Sequence, residues 1–315
     1  MGVYLSIVIP AFNEAESIEK LYKELREVIR LHGYDAEIVF IDDGSTDDTL
    51  ESLRQIAAGD RTVKVISFKR NYGQTPALSA GIENACGGII VTMDADLQND
   101  PHDIPAMIAL VEGGNDMVSG WRKPRRDGFL GRTLPSVVAN WIIRIVTGVK
   151  LHDFGCTLKA YRSDVIKSIR LYGEMHRFIP VYAAGNGASI AEVRTHHRQR
   201  LYGKTHYGFI RTIKVLLDLF TVKFLADYST RPIHLFGGSG FMFMLVSLFI
   251  GVAVLYEKFR LHVFAYRNPL LLLAVFLFLV GFELILIGLV AELIIRLYHG
   301  SLSNPVYTVK ERINL

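Results

Sequence analysis

Short apolar runs alternate with segments of helical periodicity through the N-terminal third of the chain. The runs read YLSIVIP, AEIVFIDD, VKVISF and IIVTMDAD. Between the first two, apolar side chains recur at helical spacing, at Ile18, Leu21, Leu25, Val28 and Ile29. Strands rich in Val and Ile, separated by helices, are typical of a mostly parallel sheet that is covered on both faces. The pattern therefore predicts an α/β fold.

The pattern changes after Arg231, where charged residues become rare. Two segments, Ile233 to Tyr256 and Leu270 to Leu297, are almost wholly apolar. A bilayer-spanning helix needs about 20 residues, so each segment can cross a membrane, with two buried helices of a soluble domain as the alternative. The short linker predicts a hairpin that returns the tail to the side of the N-terminal domain. Glu283 and Glu292 are costly in lipid, which suggests that they face a protein interior through helix packing or a homo-oligomer.

An amphipathic segment precedes the first span. Between residues 207 and 231, Arg211, Lys214 and Asp218 lie at helical spacing among apolar residues. This pattern is typical of a helix in the membrane interface, with an ordinary helix packed on the soluble domain as the alternative.

The expected organisation has four parts. They are a cytosolic domain at 1–206, interfacial helices at 207–231, two transmembrane helices at 232–298 and a cytosolic tail at 299–315. Basic residues flanking the hairpin outnumber those in its linker, which favours an inner or plasma membrane protein whose N-terminal domain faces the cytoplasm.

Composition and charge argue against several classes of protein. Half of the residues are hydrophobic and mean hydropathy is +0.27, with the apolar excess in the C-terminal part. The net charge of +4 implies no general affinity for nucleic acid. The chain has neither a G-x-G-x-x-G turn after its first strand nor a P-loop, so a dinucleotide enzyme or P-loop NTPase is not expected. Cys86 and Cys156 lie far apart, and we expect two reduced thiols.

Polar clusters follow three of the predicted strands. They are PAFNE at Pro10 to Glu14, DDGSTD at Asp42 to Asp47 and DADLQ at Asp94 to Gln98. Ligands of open α/β sheets bind beyond the carboxyl ends of the strands. Three such clusters at one edge predict a binding site there.

Asp94 and Asp96 have the spacing of metal ligands. Residues i and i+2 of an extended chain point the same way, so both carboxylates can face one ligand. Two buried like charges raise each other's pKa, and a divalent cation removes that cost. Oxygen ligands suit Mg²⁺ or Mn²⁺, and Gln98 can add a neutral oxygen. A solvated acidic loop is the alternative.

Motifs along nearly the whole chain resemble one family. DADLQ, PAFNE and DDGSTD resemble the family 2 glycosyltransferases of GT-A fold. GWRKPRRD, RTLPSVVAN, HDFGCTLKAYR, GEMHRFIP and RQRLYGKTHYG resemble the branch that acts on polyprenyl phosphates and includes dolichyl-phosphate mannose synthase. The resemblance extends through the two predicted spans. It is specific for the branch but not for the sugar.

The resemblance implies a nucleotide-diphosphate sugar, UDP- or GDP-linked, as donor and a polyprenyl phosphate as acceptor. The implied nucleotide-binding residues are Pro10, Ala11, Glu14 and Asp43. The implied metal ligands are Asp94, Asp96 and Gln98, which would hold Mg²⁺ or Mn²⁺ against the diphosphate.

Arginines within the matching motifs are candidates for binding the lipid phosphate, which their bidentate fork suits. The candidates are Arg122, Arg132 and Arg200. Weaker candidates are Arg125, Arg126 and Arg198. The chain departs from the family at GKTHY, where the family often has GxSKY. His206 therefore replaces a lysine, which makes its phosphate role doubtful, and neighbouring Lys204 is the candidate to substitute for it.

The expected reaction is an inverting displacement in which a lipid phosphate oxygen attacks the anomeric carbon. A phosphate monoester is largely a dianion at neutral pH, so no strong general base is needed. Asp153 is a candidate for an acidic role near the acceptor, and a structural role is equally open. The expected catalytic set is Asp96, Asp153, Arg122, Arg132 and Arg200. The alternatives are a transferase that elongates a cell-surface polysaccharide and a non-catalytic membrane scaffold.

Overall fold

The computed structural model describes residues 2–123, 134–171, 175–198, 233–260, 268–301 and 307–315. The chain divides into two compact units, and the second runs from Phe224 to Asn304. The first unit is built on one eight-stranded sheet. Its strands are β1 (Leu5–Ala11), β2 (Ala36–Asp42), β3 (Val63–Phe68), β4 (Ile89–Thr92), β5 (Met117–Arg122), β6 (Lys159–Arg162), β7 (Ile190–Thr195) and β8 (Val309–Ile313). Its α-helices are α1 (Ala15–His32), α2 (Thr49–Gly59), α3 (Gln74–Asn84), α4 (Ile104–Glu112), α5 (Leu134–Thr147), α6 (Ser163–Ser168) and α7 (Ile179–Gly185).

The sheet has the strand order β7–β5–β6–β4–β1–β2–β3–β8. The neighbours β4, β1, β2 and β3 are parallel to one another, and β5 is parallel to β7. β6 runs antiparallel between β4 and β5, and β8 runs antiparallel beside β3. The predicted α/β fold with a mostly parallel sheet is confirmed. The two antiparallel strands were not indicated by the hydrophobic pattern.

Both faces of the sheet are covered. On β1, Ile7 belongs to the core cluster that contains Leu21 of α1, whereas Val8 belongs to the opposite cluster, which contains Ala77 of α3. All four side chains are fully buried. Burial of each large aliphatic side chain contributes about 1.5–3 kcal/mol. Strands that are buried on both faces need apolar residues at every position, which explains the continuous runs in the sequence.

The C-terminal strand β8 is fastened to the sheet by side chains as well as by strand pairing. Glu311 accepts two hydrogen bonds of 3.0 Å from the guanidinium of Arg54. The Asn314 amide donates to the carbonyl oxygens of Ala57 at 2.8 Å and Val63 at 2.9 Å. The tail was not predicted to contain a strand. Its pairing with β3 places the chain end in the same sheet as the N-terminal strand.

A buried carboxylate connects three segments near the amino ends of the parallel strands. Glu37 of β2 accepts hydrogen bonds of 2.5 Å from the Ser6 hydroxyl and from the Cys86 amide. The Lys64 ammonium lies 2.7 Å from its other oxygen. Burial alone would raise the pKa of Glu37, but the hydrogen bonds from Cys86, Lys64 and Ser6 bring that pKa below its ordinary value. Glu37 is therefore held ionised inside the fold.

The second unit contains two long apolar helices in contact, α8 (Ile233–Arg260) and α9 (Pro269–Ser301). Mean hydropathy is 2.2 in the first, and 3.0 in the second over Pro269–Ile294, so both are candidate membrane spans by length and composition. Their closest approach is at two glycines. A Cβ atom on Gly240 would lie 2.5 Å from the Gly281 carbonyl oxygen, and one on Gly281 would lie 2.6 Å from the Gly240 carbonyl oxygen. The helices can approach so closely because neither residue has a side chain.

The acidic residues of α9 do not both face α8. Gly281 and Gly288, one heptad apart, lie on the face that contacts α8. Glu283 follows Gly281 by two residues, about 200° around the helix, and its side chain is exposed. Glu292 is half-buried. Glu283 therefore does not face α8 in the described part of this unit, and the other alternative, a homo-oligomer contact, remains a proposal.

We predict that replacing Glu37 destabilises the first unit, which contains the eight-stranded sheet. E37Q leaves the Lys64 ammonium without its charged partner, and we expect a loss of about 2 kcal/mol in the free energy of unfolding at neutral pH. The folded-state pKa of Glu37 lies below that of the unfolded chain. Its stabilisation is therefore present above the unfolded pKa and is lost as the pH falls through the folded pKa.

The measurement is the unfolding of detergent-purified protein at a series of pH values. The difference in unfolding free energy between E37Q and wild type should shrink on acidification. E19Q, in an exposed ion pair, is the matched control and should change nothing; a similar loss in both variants contradicts the prediction.

We also predict that the glycine contact stabilises the helix pair. G240V inserts a branched side chain where a Cβ atom already clashes, and overpacking of this kind costs about 1–3 kcal/mol. G251V is the control in the same helix, because a Cβ atom on Gly251 meets nothing within 4 Å. Titration with a denaturing detergent, followed by circular dichroism, should show earlier unfolding for G240V only. Equal midpoints for both variants would show that the close approach contributes no stability.

Candidate active site

The loop that follows β4 presents three oxygen-bearing side chains on one side. Asp94, Asp96 and Gln98 are half-buried, and they alternate with the fully buried residues Met93, Ala95 and Leu97. The sequence predicted this common orientation from the i, i+2 spacing. Leu97 has a left-handed backbone, φ 59°, which is costly for a residue of this size. The Leu97 side chain is buried in the core, at 1% exposure.

Asp94 is held from two sides. Its Oδ1 accepts a hydrogen bond of 2.7 Å from the Gln74 amide at the start of α3, and its Oδ2 accepts one of 2.8 Å from the Thr157 hydroxyl. Burial, followed by the charge of Asp96, raises the pKa of Asp94 to about 6. The charges of Arg122 and Lys159 act in the opposite direction. A carboxylate pair in this setting favours the binding of a cation.

The residues of this loop fit a Mg²⁺ or Mn²⁺ ion that shares its ligands with a substrate. Within the described residues, no group of three His, Cys, Asp or Glu side chains is placed to enclose a metal. Two carboxylates and one amide oxygen instead leave coordination positions open. Mg²⁺ commonly binds through one or two carboxylates together with substrate phosphates. The donor set therefore suits a metal that is completed by a diphosphate.

Arg122 and Asp153, predicted separately, form one ion pair between a half-buried guanidinium and a buried carboxylate. Arg122 ends β5, and its Nε and Nη2 lie 2.8 Å and 3.0 Å from the two oxygens of Asp153. Asp153 is 1% exposed. Its Oδ1 also accepts a hydrogen bond of 3.1 Å from the Gly155 amide. A carboxylate with both oxygens engaged in this way is suited to orienting the guanidinium rather than to accepting a proton.

Lys159 is a member of this cluster that the sequence analysis missed. It begins β6, is 3% exposed, and donates a hydrogen bond to the Cys156 carbonyl oxygen. Burial lowers the pKa of the Lys159 ammonium, while the nearby acidic groups, including Asp153 and Asp94, raise it. The available signal was a lysine within the motif HDFGCTLKAYR. Gln74 and Thr157, which hold Asp94, carried no comparable signal.

The loops after β1 and β2 form the neighbouring wall of the site. Asp43 accepts hydrogen bonds from the amides of Tyr72 and Gly73, at 2.7 Å and 2.8 Å. Burial raises the pKa of Asp43 to about 6, against the opposing effect of these two bonds. The preceding Asp42 accepts hydrogen bonds from Ser67 and Ser45 and therefore holds the loop itself.

The predicted residues of the first loop lie beside this wall. Pro10 and Ala11 end β1, and the Ala11 carbonyl accepts a hydrogen bond of 2.9 Å from the Asp43 amide. Glu14 precedes α1 and accepts a hydrogen bond of 2.9 Å from Ser17. Asn13, which was not predicted, has φ 55° and accepts a hydrogen bond of 2.9 Å from the Thr46 amide. The two loops are therefore joined directly.

Arg198 is engaged by carboxylates in the described structure. Its guanidinium lies 2.7 Å from Glu24 and 2.8 Å from Asp100, and its amide donates to the Gln98 carbonyl oxygen at 2.9 Å. Arg198, one of the weaker candidates for phosphate binding, thus connects the segment that follows β7 to the loop that contains Asp96 and Gln98. The other basic candidates lie outside the described residues: Arg132, Arg200, Lys204, Arg125, Arg126 and His206.

The sheet order and the acidic loop at its carboxyl edge define a GT-A-like α/β domain. Crystal structures of glucosyl-3-phosphoglycerate synthase from Mycobacterium tuberculosis share this fold. The complex with Mn²⁺, UDP and phosphoglyceric acid has a TM-score of 0.53 at 19% identity, and the match covers 69% of this chain and 78% of that chain. The complex with Mg²⁺ and UDP has a TM-score of 0.52 at 20% identity, covering 69% and 79%.

Sequence comparison identifies the family. The model described as "Glycosyl transferase family 2" matches residues 6–170. Dodecaprenyl-phosphate galacturonate synthase of Rhizobium johnstonii is 41% identical over 315 residues, covering 98% of this chain and 92% of that protein. Undecaprenyl-phosphate 4-deoxy-4-formamido-L-arabinose transferase of Shewanella sediminis is 34% identical over 313 residues, with the same coverages. The chain belongs to glycosyl transferase family 2, and the expected enzyme class, polyprenyl-phosphate glycosyltransferase, is confirmed.

We predict that Asp153 acts through Arg122. Loss of a hydrogen bond between charged groups costs about 1.5–3 kcal/mol, so D153N should lower kcat/KM for sugar transfer by roughly 10- to 100-fold. Because R122Q removes the same pair, the double variant should be little worse than R122Q alone. If the losses of the two single variants multiply in the double variant, Asp153 has a role that is independent of Arg122. D164N, which alters an exposed ion pair with Arg162, is the control and should retain activity.

Proposed function

We propose that this protein transfers one sugar from a nucleotide-diphosphate sugar to the phosphate of a polyprenyl lipid, with inversion at the anomeric carbon. The observation that carries the proposal is one site that combines opposite charges. Asp94, one of a pair of carboxylates with Asp96, lies within electrostatic range of the half-buried Arg122. The relatives named above are synthases or transferases of dodecaprenyl- and undecaprenyl-phosphate sugars.

On the donor side, Asp94, Asp96 and Gln98 are proposed to hold Mg²⁺ or Mn²⁺. Similar folds were crystallised with either metal together with UDP, which supports this choice. Such an ion would stabilise the charge that develops on the leaving diphosphate. The proposed nucleotide contacts come from the two joined loops. They are Pro10, Ala11, Glu14 and Asp43.

On the acceptor side, Arg122 is proposed to bind the lipid phosphate. Asp153 sets the plane of its guanidinium, and a planar fork binds phosphate bidentately only when that plane is suitably oriented. Family resemblance adds further cations, Arg132, Arg200 and Lys204. Because the phosphate is largely dianionic at neutral pH, these residues position the nucleophile without having to remove a proton. The phosphate oxygen bonds to the anomeric carbon as the bond to the nucleoside diphosphate breaks.

The membrane part of the proposal rests on the two apolar helices. A polyprenyl tail keeps its phosphate at the bilayer surface, so an enzyme with membrane spans is held beside its acceptor. We propose α8 and α9 as transmembrane helices, 207–231 as the interfacial segment, and a cytoplasmic position for residues 1–206 and the tail 299–315. A homo-oligomer formed through α9 is compatible with the exposed Glu283.

The test is a product assay with purified protein in detergent. Mg²⁺ or Mn²⁺, a short polyprenyl phosphate and a panel of UDP- and GDP-sugars are supplied, and mass spectrometry detects the glycosylated lipid phosphate. The panel includes galacturonate and 4-deoxy-4-formamido-L-arabinose donors, because these sugars occur in the names of the relatives. Product with one donor supports the proposal and names the sugar. Transfer only to a saccharide would favour the polysaccharide enzyme, and no nucleotide-sugar binding would favour the scaffold.

We predict that D96N abolishes this transfer. Loss of a metal-binding carboxylate removes charge stabilisation that is worth at least about a hundredfold in rate. D35N, on an exposed loop, is the control and should behave as wild type. Normal turnover by D96N with unchanged metal dependence would refute the metal assignment.

A further inference from the structure

Glu192 is a mostly buried carboxylate on β7, the strand at one end of the described sheet. Its side chain is 11% exposed. A carboxylate that is removed from water is costly unless its oxygens accept hydrogen bonds. Both oxygens of Glu192 therefore need donors, and the turn that leads into β6 supplies them.

Three hydrogen bonds join Glu192 to the turn that contains Asp153. The Oε1 atom accepts from the backbone amides of His152 and Asp153, at 2.8 Å and 3.1 Å. The Oε2 atom lies 2.7 Å from Nδ1 of the His152 ring, which donates to it because an ionised carboxylate can only accept. One carboxylate thus fixes two successive peptide groups and one side chain of this turn.

The same turn is held by two further elements. The Trp121 ring of β5 stacks on the His152 ring, with centroids 4.2 Å apart and planes at 14°. The Asn140 side-chain amide of α5 donates to the His152 carbonyl oxygen at 3.0 Å. The His152 side chain is nevertheless 48% exposed. Because so exposed a residue is not fixed by burial, these contacts, three of which come from Glu192 and its neighbours in the sheet, set the position of the turn.

The turn determines where the Arg122 guanidinium lies. Asp153 binds this guanidinium through both of its oxygens, at 2.8 Å and 3.0 Å. The turn also packs closely against it, because a Cβ atom on Gly155 would lie 3.2 Å from Nη2 of Arg122 and 3.6 Å from Oδ1 of Asp153. A displacement of the turn must therefore move the guanidinium or break its hydrogen bonds.

We propose that Glu192 is a positioning residue for the acceptor site. By holding the backbone of the turn at 152–155, it fixes the plane in which Arg122 presents its guanidinium to the lipid phosphate. The inference rests on the role of Arg122 in the proposed function. A bidentate contact between guanidinium and phosphate requires a fixed plane, and misplacement by about 1 Å can cost about a hundredfold in rate even when its origin is remote from the reacting atoms.

The first measurement is the affinity of full-length protein in detergent for farnesyl phosphate, by isothermal titration calorimetry. E192A removes all three hydrogen bonds to the turn. We expect its Kd to be roughly 10- to 100-fold above that of wild type, the effect of losing one hydrogen bond between Arg122 and the phosphate. E192D keeps the charge but is one methylene shorter, so it should weaken binding in the same direction and makes the test independent of the folding of E192A.

Two further readouts separate positioning from a structural role. E192Q keeps a carbonyl oxygen that can accept from both backbone amides, so it should restore the farnesyl phosphate Kd to within about threefold of wild type. The Kd of E192A for the nucleoside diphosphate that wild type binds with Mn²⁺, UDP or GDP, should change by less than about twofold, because distant sites act independently. Asp43 of the proposed nucleotide site is held by other loops.

E37A is the matched control for a general loss of structure. Glu37 is also a buried carboxylate that accepts from a backbone amide, but it lies near the amino ends of the parallel strands. E37A should lower thermal stability and leave the farnesyl phosphate Kd of the folded protein unchanged. Equal weakening of binding by E37A and E192A would show that the effect is not specific to the turn, and the proposal would be wrong.

A double variant tests the route through Asp153. E192A combined with D153N should bind farnesyl phosphate about as weakly as D153N alone, because both changes act on the orientation of Arg122. Losses that multiply in the double variant contradict this route.

Trp121 reports on the turn directly, because it stacks on His152 and the chain contains only two tryptophans. In W141F, Trp121 is the single indole. E192A in this background should shift the emission of Trp121 to longer wavelength and increase its quenching by acrylamide, as the His152 ring moves away. Unchanged emission shows that Glu192 does not hold the turn. Changed emission with unchanged farnesyl phosphate binding shows that the turn does not position Arg122. Either result overturns the proposal.

Wild-type protein distinguishes this failure from failure of the proposed function. If wild type binds no farnesyl phosphate, the proposed function is contradicted. If wild type binds it and E192A binds it equally well, only the inference about Glu192 is contradicted.

Discussion

The central constraint on this structure is electrostatic: Asp94 and Asp96 must stay side by side at the end of a strand that is buried on both faces. Neighbouring elements supply what the pair requires. The Gln74 amide and the Thr157 hydroxyl bind Asp94, and the charges of Arg122 and Lys159 favour its ionised form. The antiparallel strand β6 makes this possible. Lys159 pairs with Thr92 of β4 on one side and Ser119 of β5 on the other, so one strand brings both halves of the site together.

Acidic and basic side chains are thus placed next to each other at one edge of the sheet. Carboxylates face the position proposed for a cation and a diphosphate, and Arg122, oriented by Asp153, faces the position proposed for a second phosphate. Substrates that repel each other can be brought together only where fixed charges of both signs are already in place. Arg198 contributes to the same arrangement from the outside, because its contacts with Glu24 and Asp100 join α1, the acidic loop and the end of the β7 segment.

Local pattern was sufficient for the parallel half of the fold. β1 to β4 and the helices between them follow from runs of Val and Ile and from helical spacing, and the common orientation of Asp94 and Asp96 follows from strand geometry. Contacts between residues distant in sequence could not be predicted from these local patterns. The pairing of Arg122 with Asp153 depends on β5 lying beside the segment that leads into β6, which no periodicity encodes. The ion pairs of Arg198 with Glu24 and Asp100 could not be predicted for the same reason.

The strand β8 was missed because its sequence, VKERI, has three consecutive charged residues and no apolar run. Its position gives the chain a fixed order of assembly. Translation proceeds from the N-terminus, so β3 remains an open sheet edge until residues 309–313 leave the ribosome, after both apolar helices have been made. An open edge is a site for misassembly and proteolysis. A chain that stops within either helix therefore carries an incomplete catalytic sheet, and the sheet can be completed only after the second unit has been synthesised.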